Sequence, residues 1–315
     1  MKRKITVIGA GNVGATIAYT LSLGDLASEI VLVDIAREKA DGEAMDIIQG
    51  ASFRDPISVT AGDYKDAADS DAVIITSGIA RKPGQTRLEL TQTNVNIMKD
   101  IAPKIAAVAP NALYVIVSNP VDIMTYVFTK ISGIAEHQII GSGTLLDTAR
   151  LRHGLSEHFD IAQKNIHAHV FGEHGDSSFI PWSLANISGI KLDEYIENMK
   201  TLDREVAQLD RTALEEYVHT SGGQVIKRKG ATFYAISVAV TKLLNVLFSA
   251  NESLTTVSTM MHGEYGLEDV CLSVLTMVGP KGVYSRVETK LTSEELEKLH
   301  HSAKILKDII AQIEL

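Results

Sequence analysis

The stretch GEHGDSS, residues Gly172 to Ser178, sets His174 among glycines with acids at Glu173 and Asp176. A histidine at a strand end, between glycines, is placed for proton transfer, because its unperturbed pKa lies near neutrality. Upstream, GTLLDTARLR supplies Asp147, Arg150 and Arg152. Asp147 is suited to orient the imidazole and stabilise its protonated form, and the Arg150 fork to hold a substrate carboxylate by two hydrogen bonds. Three positions apart on a helix, the same two residues also fit a plain intrahelical ion pair. A third stretch, SGIARKPGQTRLEL from Ser77 to Leu90, carries Arg81 and Arg87 around Gly78, Pro83 and Gly84. It reads as a mobile cationic loop, which by itself is compatible with an ordinary solvated surface. His167, His169 and His174 together suggest a metal site, but neither HExxH nor a cysteine pair accompanies them, so no catalytic metal is expected. His158, His300 and His301 are assigned no chemistry.

At the chain start, VIGAGNVG places Gly9, Gly11 and Gly14 in the G-x-G-x-x-G spacing between a predicted strand and a predicted helix. Such glycines permit a tight turn and let backbone N–H groups approach a pyrophosphate at the helix N-terminus. Asp34 follows twenty residues after Gly14, at the end of the second predicted strand. A carboxylate there accepts the ribose hydroxyls and repels a 2′-phosphate, which favours NAD over NADP. FAD is the other dinucleotide that the glycine pattern admits.

These residues need a frame. The runs KITVIG, EIVLVD, ISVTA, DAVIITSG, LYVIVSNP and QIIGSG read as strands with uncharged centres, as buried parallel strands are. Helical periodicity fills the segments between them, including Asn12–Leu23, Glu38–Gln49 and Arg87–Ala109. Regular alternation predicts an α/β fold, a Rossmann doubly wound parallel sheet over residues 1–141, with ligands beyond the carboxyl ends of the strands. From residue 142 the rhythm changes, and 142–315 is expected to form an α+β substrate domain. It opens with a helix through Leu151, followed by a long polar helix over Asp193–Val218 and another over Thr232–Phe248. The runs SLTTVSTMM and VCLSVLTMVG look antiparallel. The last helix opens with Thr292 and Glu295 at capping-box spacing and presents Leu296, Leu299, Ala303, Leu306, Ile310 and Ile313 on one face.

The 315 residues are 45% hydrophobic and 22% charged, with a net charge of −9, a soluble globular composition. Interspersed charges and no long basic run argue against nucleic acid or an anionic membrane surface as the main partner. One cysteine, Cys271, cannot form an internal disulfide and fits a reducing cytoplasm. MKRK followed by the uncharged Ile5–Gly24 has the outline of a signal peptide. The glycines that interrupt it fit a buried strand entering a helix better, so export is not expected.

With GAGNVG, ARKPGQTR, VSNPVD, GSGTLLDTARLR, GEHGDSS and KGATFYAI in order, the chain resembles the lactate/malate dehydrogenase family over essentially its whole length. The resemblance implies hydride transfer between NAD and a small 2-oxo or 2-hydroxy acid. It implies His174 as the acid/base, Asp147 as its partner, Arg150 as the carboxylate clamp, and Arg87 as the group that polarises the carbonyl when the loop closes. Asn119 and Thr232 would contact substrate. Gly9, Gly11, Val13, Gly14, Asp34, Lys39, Tyr64, Gly78, Asn119 and Ser142 would contact the cofactor. A nucleotide sensor without turnover would keep the glycines and Asp34, but would not need His174, Asp147, Arg87 and Arg150 together.

Within the family, Arg81 matches the malate pattern, in which an arginine pairs with the second carboxylate of oxaloacetate. Glu173, Ser178 and Thr232 match the lactate pattern, and on balance pyruvate and L-lactate are expected. Arg152 and His167 match the pair that binds fructose 1,6-bisphosphate in allosteric bacterial lactate dehydrogenases. A homotetramer or dimer is the assembly that the family suggests.

Overall fold

The computed structural model describes residues 3–53, 56–79, 84, 86–200 and 208–315. Six parallel strands form from the short β-branched runs: β1 (Lys4–Ile8), β2 (Glu29–Val33), β3 (Ser58–Ala61), β4 (Ala72–Ile75), β5 (Leu113–Ile116) and β6 (Ile139–Gly141). Between them run α1 (Asn12–Ser22), α2 (Arg37–Gln49), α3 (Arg87–Val108) and α4 (Val121–Ile131). The order β3-β2-β1-β4-β5-β6 reverses at β1, which pairs with β2 through Ile5–Ile30 and with β4 through Ile5–Ala72. Such a reversal opens a crevice beyond the carboxyl ends of β1 and β4.

Side-chain alternation assigns the two faces. Val73 and Ile75 of β4 pack with Met98 and Ile105 of α3, whereas Ala72 and Ile74 join Ile17 and Leu21 of α1 on the other side. Both faces are covered along β1, β2, β4, β5 and β6, whereas the edge strand β3 leaves Ser58 and Thr60 exposed. The turn from β1 into α1 depends on Gly14, where a Cβ would stand 1.8 Å from the Gly9 carbonyl oxygen.

Beyond β6 the chain enters α5 (Leu145–Phe159), then a small sheet of β7 (Ile166–His167), β8 (Asn186–Ile187) and β9 (Ile190–Lys191). Helices α6 (Leu192–Lys200), α7 (Arg211–Lys229) and α8 (Tyr234–Leu247) follow, then β10 (Ser253–His262), β11 (Glu268–Gly279), β12 (Gly282–Arg286) and α9 (Ser293–Ile310). One expectation needs correction. The polar stretch over Asp193–Val218 is not one helix: 208–210 are not helical, and Asp210 caps α7 by accepting the Ala213 N–H at 2.9 Å. The late runs β10 and β11 pair antiparallel, as their pattern suggests. Strand β10 pairs antiparallel with β6 at Ser258–Gly141, so β10, β11 and β12 extend the first sheet to nine strands.

Helix α9 keeps its capping box, and Leu299, Ala303 and Leu306 are buried on the expected face. No described helix is long and apolar enough to cross a membrane.

Gly14→Ala would overpack the α1–β1 contact, at a cost of roughly 1–3 kcal/mol. The expected result is a melting temperature lower by several degrees and weakened nucleotide binding, checked by calorimetric melts with and without NADH. An unchanged melt would mean that this contact has slack to absorb a methyl group.

Candidate active site

Helix α5 starts immediately after β6, because Gly143 passes so close to β10 and β11 that a Cβ would meet Ser273 Oγ at 2.2 Å and Ser258 N at 2.6 Å. This tight passage sets Asp147 in the first turn of α5, where the helix dipole favours a carboxylate. Asp147 is 6% exposed and uses both oxygens. Its Oδ2 meets His174 Nδ1 at 2.5 Å, and its Oδ1 accepts from Arg150 Nη1 at 2.8 Å. The intrahelical ion pair and the His–Asp couple are therefore both present, on different oxygens of one carboxylate.

His174 is held from behind as well. Its main-chain N–H donates to Asp122 Oδ2 at 2.7 Å. Asp122, in the first turn of α4, belongs to the VSNPVD stretch, yet sequence reasoning takes only Asn119 from it. Burial pushes the Asp122 carboxyl up to about 6, opposed by the Ser258 hydroxyl and by the His174 N–H and ring. Its Oδ1 makes no regular hydrogen bond among the described residues. Burial alone would lower the His174 pKa, but the charge and hydrogen bond of Asp147, with Asp122 adding, raise it above the ordinary value despite Arg150. Burial likewise opposes ionisation of Asp147, and the adjacent His174 and Arg150 reverse that, leaving its carboxyl below the usual range. With Nδ1 committed to Asp147, Nε2 is the ring nitrogen available to exchange a proton with a ligand.

His174, Asp147, Arg150, Asn119, Thr232, Ser142 and Val13 line one cleft of about 260 Å³ at the carboxyl ends of β5 and β6. Gly9, Gly11, Asp34, Tyr64 and Gly78 line a second cleft of about 850 Å³ at the ends of β1, β2 and β4. Asp34 is fixed by the N–H groups of Ala10 at 2.6 Å and Ala36 at 2.8 Å. A Cβ at Gly11 would meet nothing within 4 Å, which leaves open room at the turn for a pyrophosphate. Buried Asn94 ties the clefts together, accepting from the Ile79 N–H at 2.9 Å and donating to the Asn119 carbonyl at 2.8 Å.

Other expected residues lie elsewhere. Lys39 is exposed on α2 and lines neither cleft. Arg87 opens α3, where Thr86 and Glu89 form a capping box, and its guanidinium pairs with Asp176 at 2.7 Å at the rim. Both side chains are largely solvent-exposed; Asp176 lines the His174 cleft, and Arg87 does not. Arg81 lies outside the described residues. Arg152 donates from Nε to the Ala168 carbonyl at 3.0 Å. Burial, then the charges of Arg152 and His167, push the His169 pKa down to about 4, which places these groups in one cluster. His219 and Gly222 of α7 also line the His174 cleft, and sequence reasoning misses both. Paired glycines inside a helix, Gly222–Gly223, are the available signal, since each weakens a helix unless something needs the space.

A dinucleotide groove that ends at a carboxylate-paired histidine and a half-buried arginine has the make-up of an oxidoreductase site. The chain belongs to the lactate/malate dehydrogenase family: residues 3–141 match its NAD binding domain and residues 144–314 its alpha/beta C-terminal domain. It is 47% identical to L-lactate dehydrogenase 1 of Clostridium acetobutylicum over 98% of each chain. It is 44% identical to the L-lactate dehydrogenase of Acetivibrio thermocellus, covering 99% of this chain and 98% of the relative. The ligand-bound minor L-lactate dehydrogenase of Enterococcus mundtii superposes with a TM-score of 0.94 at 34% identity, over 100% of this chain and 99% of that one.

The raised His174 pKa fixes the sign of a pH dependence. Reduction of an oxo acid needs the protonated ring and should fall as pH rises through that value, whereas oxidation needs the neutral ring and should rise over the same window. Asp122→Asn removes one of the charges that hold the proton, so both inflections should move to lower pH in kcat/KM profiles. Profiles that do not move would reduce Asp122 to an anchor for the turn.

Proposed function

We propose that this chain interconverts pyruvate and L-lactate, with NAD as the hydride carrier. The observation that carries the reading is the single carboxylate of Asp147 shared between His174 and Arg150 at the end of the dinucleotide groove. Bound NADH supplies a hydride to the carbonyl carbon. His174 Nε2–H gives its proton to the carbonyl oxygen during reduction and takes it back during oxidation. Asp147 keeps the ring oriented and charged, while the remaining N–H groups of Arg150 hold the substrate carboxylate. Arg87 exchanges Asp176 for the developing oxyanion, and Asn119 and Thr232 complete the pocket. Residues 1–141 bind the cofactor through Gly9, Gly11, Val13, Gly14, Asp34, Tyr64, Gly78 and Asn119, joined by Ser142, and 142–315 carry the chemistry. The setting is the cytoplasm, which the single, buried Cys271 supports.

Relatives named L-lactate dehydrogenases at 44–47% identity support pyruvate, whereas Arg81 supports a dicarboxylate. Measured with NADH, kcat/KM for pyruvate should exceed that for oxaloacetate. Arg81→Gln should lower oxaloacetate activity about tenfold or more, on the order of 1.4 kcal/mol, and spare pyruvate. A hundredfold preference of the wild type for oxaloacetate would make malate the substrate.

The chain also works as a homotetramer or dimer that responds to fructose 1,6-bisphosphate. Exposed apolar residues on α2 and α8, Met45, Tyr234 and Val238, support self-association. The Arg152 guanidinium, anchored on the Ala168 carbonyl close to His167 and His169, supports an anion site. Added bisphosphate should raise the apparent pyruvate affinity of the wild type but not of Arg152→Gln, and an unresponsive wild type would end the effector reading.

A further inference from the structure

Arg37 is the one cation among the described residues lining the 850 Å³ cleft, where it stands with Asp34, Asp63 and Asp100. A guanidinium three residues beyond the ribose-binding acid is chemically suited to a 2′-phosphate, since arginine holds phosphate through paired charged hydrogen bonds. Left free, it would work against the discrimination that Asp34 provides. It is not free. Its Nε reaches the Asp41 carboxylate at 3.2 and 3.3 Å, its Nη1 reaches Asp63 Oδ1 at 3.4 Å, and its Nη2 donates to the Ala61 carbonyl at 2.8 Å. All three nitrogens are thus directed toward the end of β3 and the second turn of α2.

We propose that Arg37 is a second determinant of cofactor choice: a latent phosphate-binding cation, withheld by Asp41, Asp63 and the Ala61 carbonyl. This deepens the dinucleotide reading and rests on it. Asp34 acts by charge on the ribose side, and the clamp acts by keeping the nearest cation from compensating that charge. Each contact alone is weak at a half-exposed site, but three directions of pull from α2, β3 and the turn after it define one rotamer. A 2′-phosphate would have to break the Nη1 and Nε contacts before it could gain its own. Removing Asp34 should therefore not be enough to admit the phosphorylated cofactor.

The test uses two small probes, adenosine 5′-monophosphate and adenosine 2′,5′-bisphosphate, titrated calorimetrically into the whole protein. Asp34→Ser should improve bisphosphate affinity only a few-fold. Adding Asp41→Asn and Asp63→Asn should improve it by about tenfold more, the step set by a freed arginine–phosphate pair. In Asp63→Asn the side-chain amide oxygen can still accept the Asp66 N–H that the carboxylate now caps, and melting curves check that the turn survives. Arg37→Ala in that triple background should cancel the second step. The ratio of NADPH to NADH kcat/KM should follow the same order. A second step that persists without Arg37 would overturn the proposal, because it would then come from lost negative charge alone. No second step at all would overturn it as well. A wild type that binds neither probe would fail the dinucleotide reading itself, whereas monophosphate binding without the second step fails only the clamp.

Discussion

One carboxylate, that of the buried Asp147, is asked to satisfy two basic side chains at once. Ionised and buried, it would be costly unless both oxygens were paired, and His174 and Arg150 supply the pairs. In return it holds the proton on one and the direction of the other. Its position follows from the close passage of Gly143 between β6 and the β10–β11 hairpin, which starts α5 in the one place where its first turn faces the His174 turn. The chemistry of the cleft is thus inherited from a backbone packing constraint.

The two clefts have opposite electrostatic character. The groove at β1, β2 and β4 gathers Asp34, Asp63 and Asp100, which suits hydroxyls and disfavours added phosphate. The cleft at β5 and β6 gathers Arg150 and a histidine held toward its charged form, which suits a carboxylate. Asn94 joins them through backbone bonds and adds no charge to either. A ligand that spans both clefts is therefore sorted at each end by a different rule.

Local signals carry most of the first half. Burial on both faces demands uncharged β-branched runs, which makes five of the parallel strands legible, while the edge strand β3 shows through its alternation. The glycine spacing and Asp34 mark the turn and strand end that line the groove. His174 and Asp147 stand out because catalysis requires residue types that a core does not. Asp122 is not legible: it looks like an ordinary first-turn helix acid until tertiary packing buries it against the His174 N–H. Asp176 as the partner of Arg87 depends in the same way on two segments 89 residues apart. The start of α7 within Asp193–Val218 is marked by one capping aspartate, Asp210, in a largely polar stretch that periodicity reads as continuous.

The pairing of Ser258 with Gly141 makes the late strands part of the first sheet. Enzymes whose two lobes meet only through a linker can swallow a ligand by rocking one lobe over the other. Here the floors of both clefts belong to one nine-stranded framework, and rocking would tear a strand pair apart. Engulfing a ligand must then fall to what lies above that floor: α7 with its paired glycines, the rim around Asp176, and single side chains such as Arg87. The cradle stays fixed, and whatever adjusts to a new guest does so above it rather than by a swing of half the molecule.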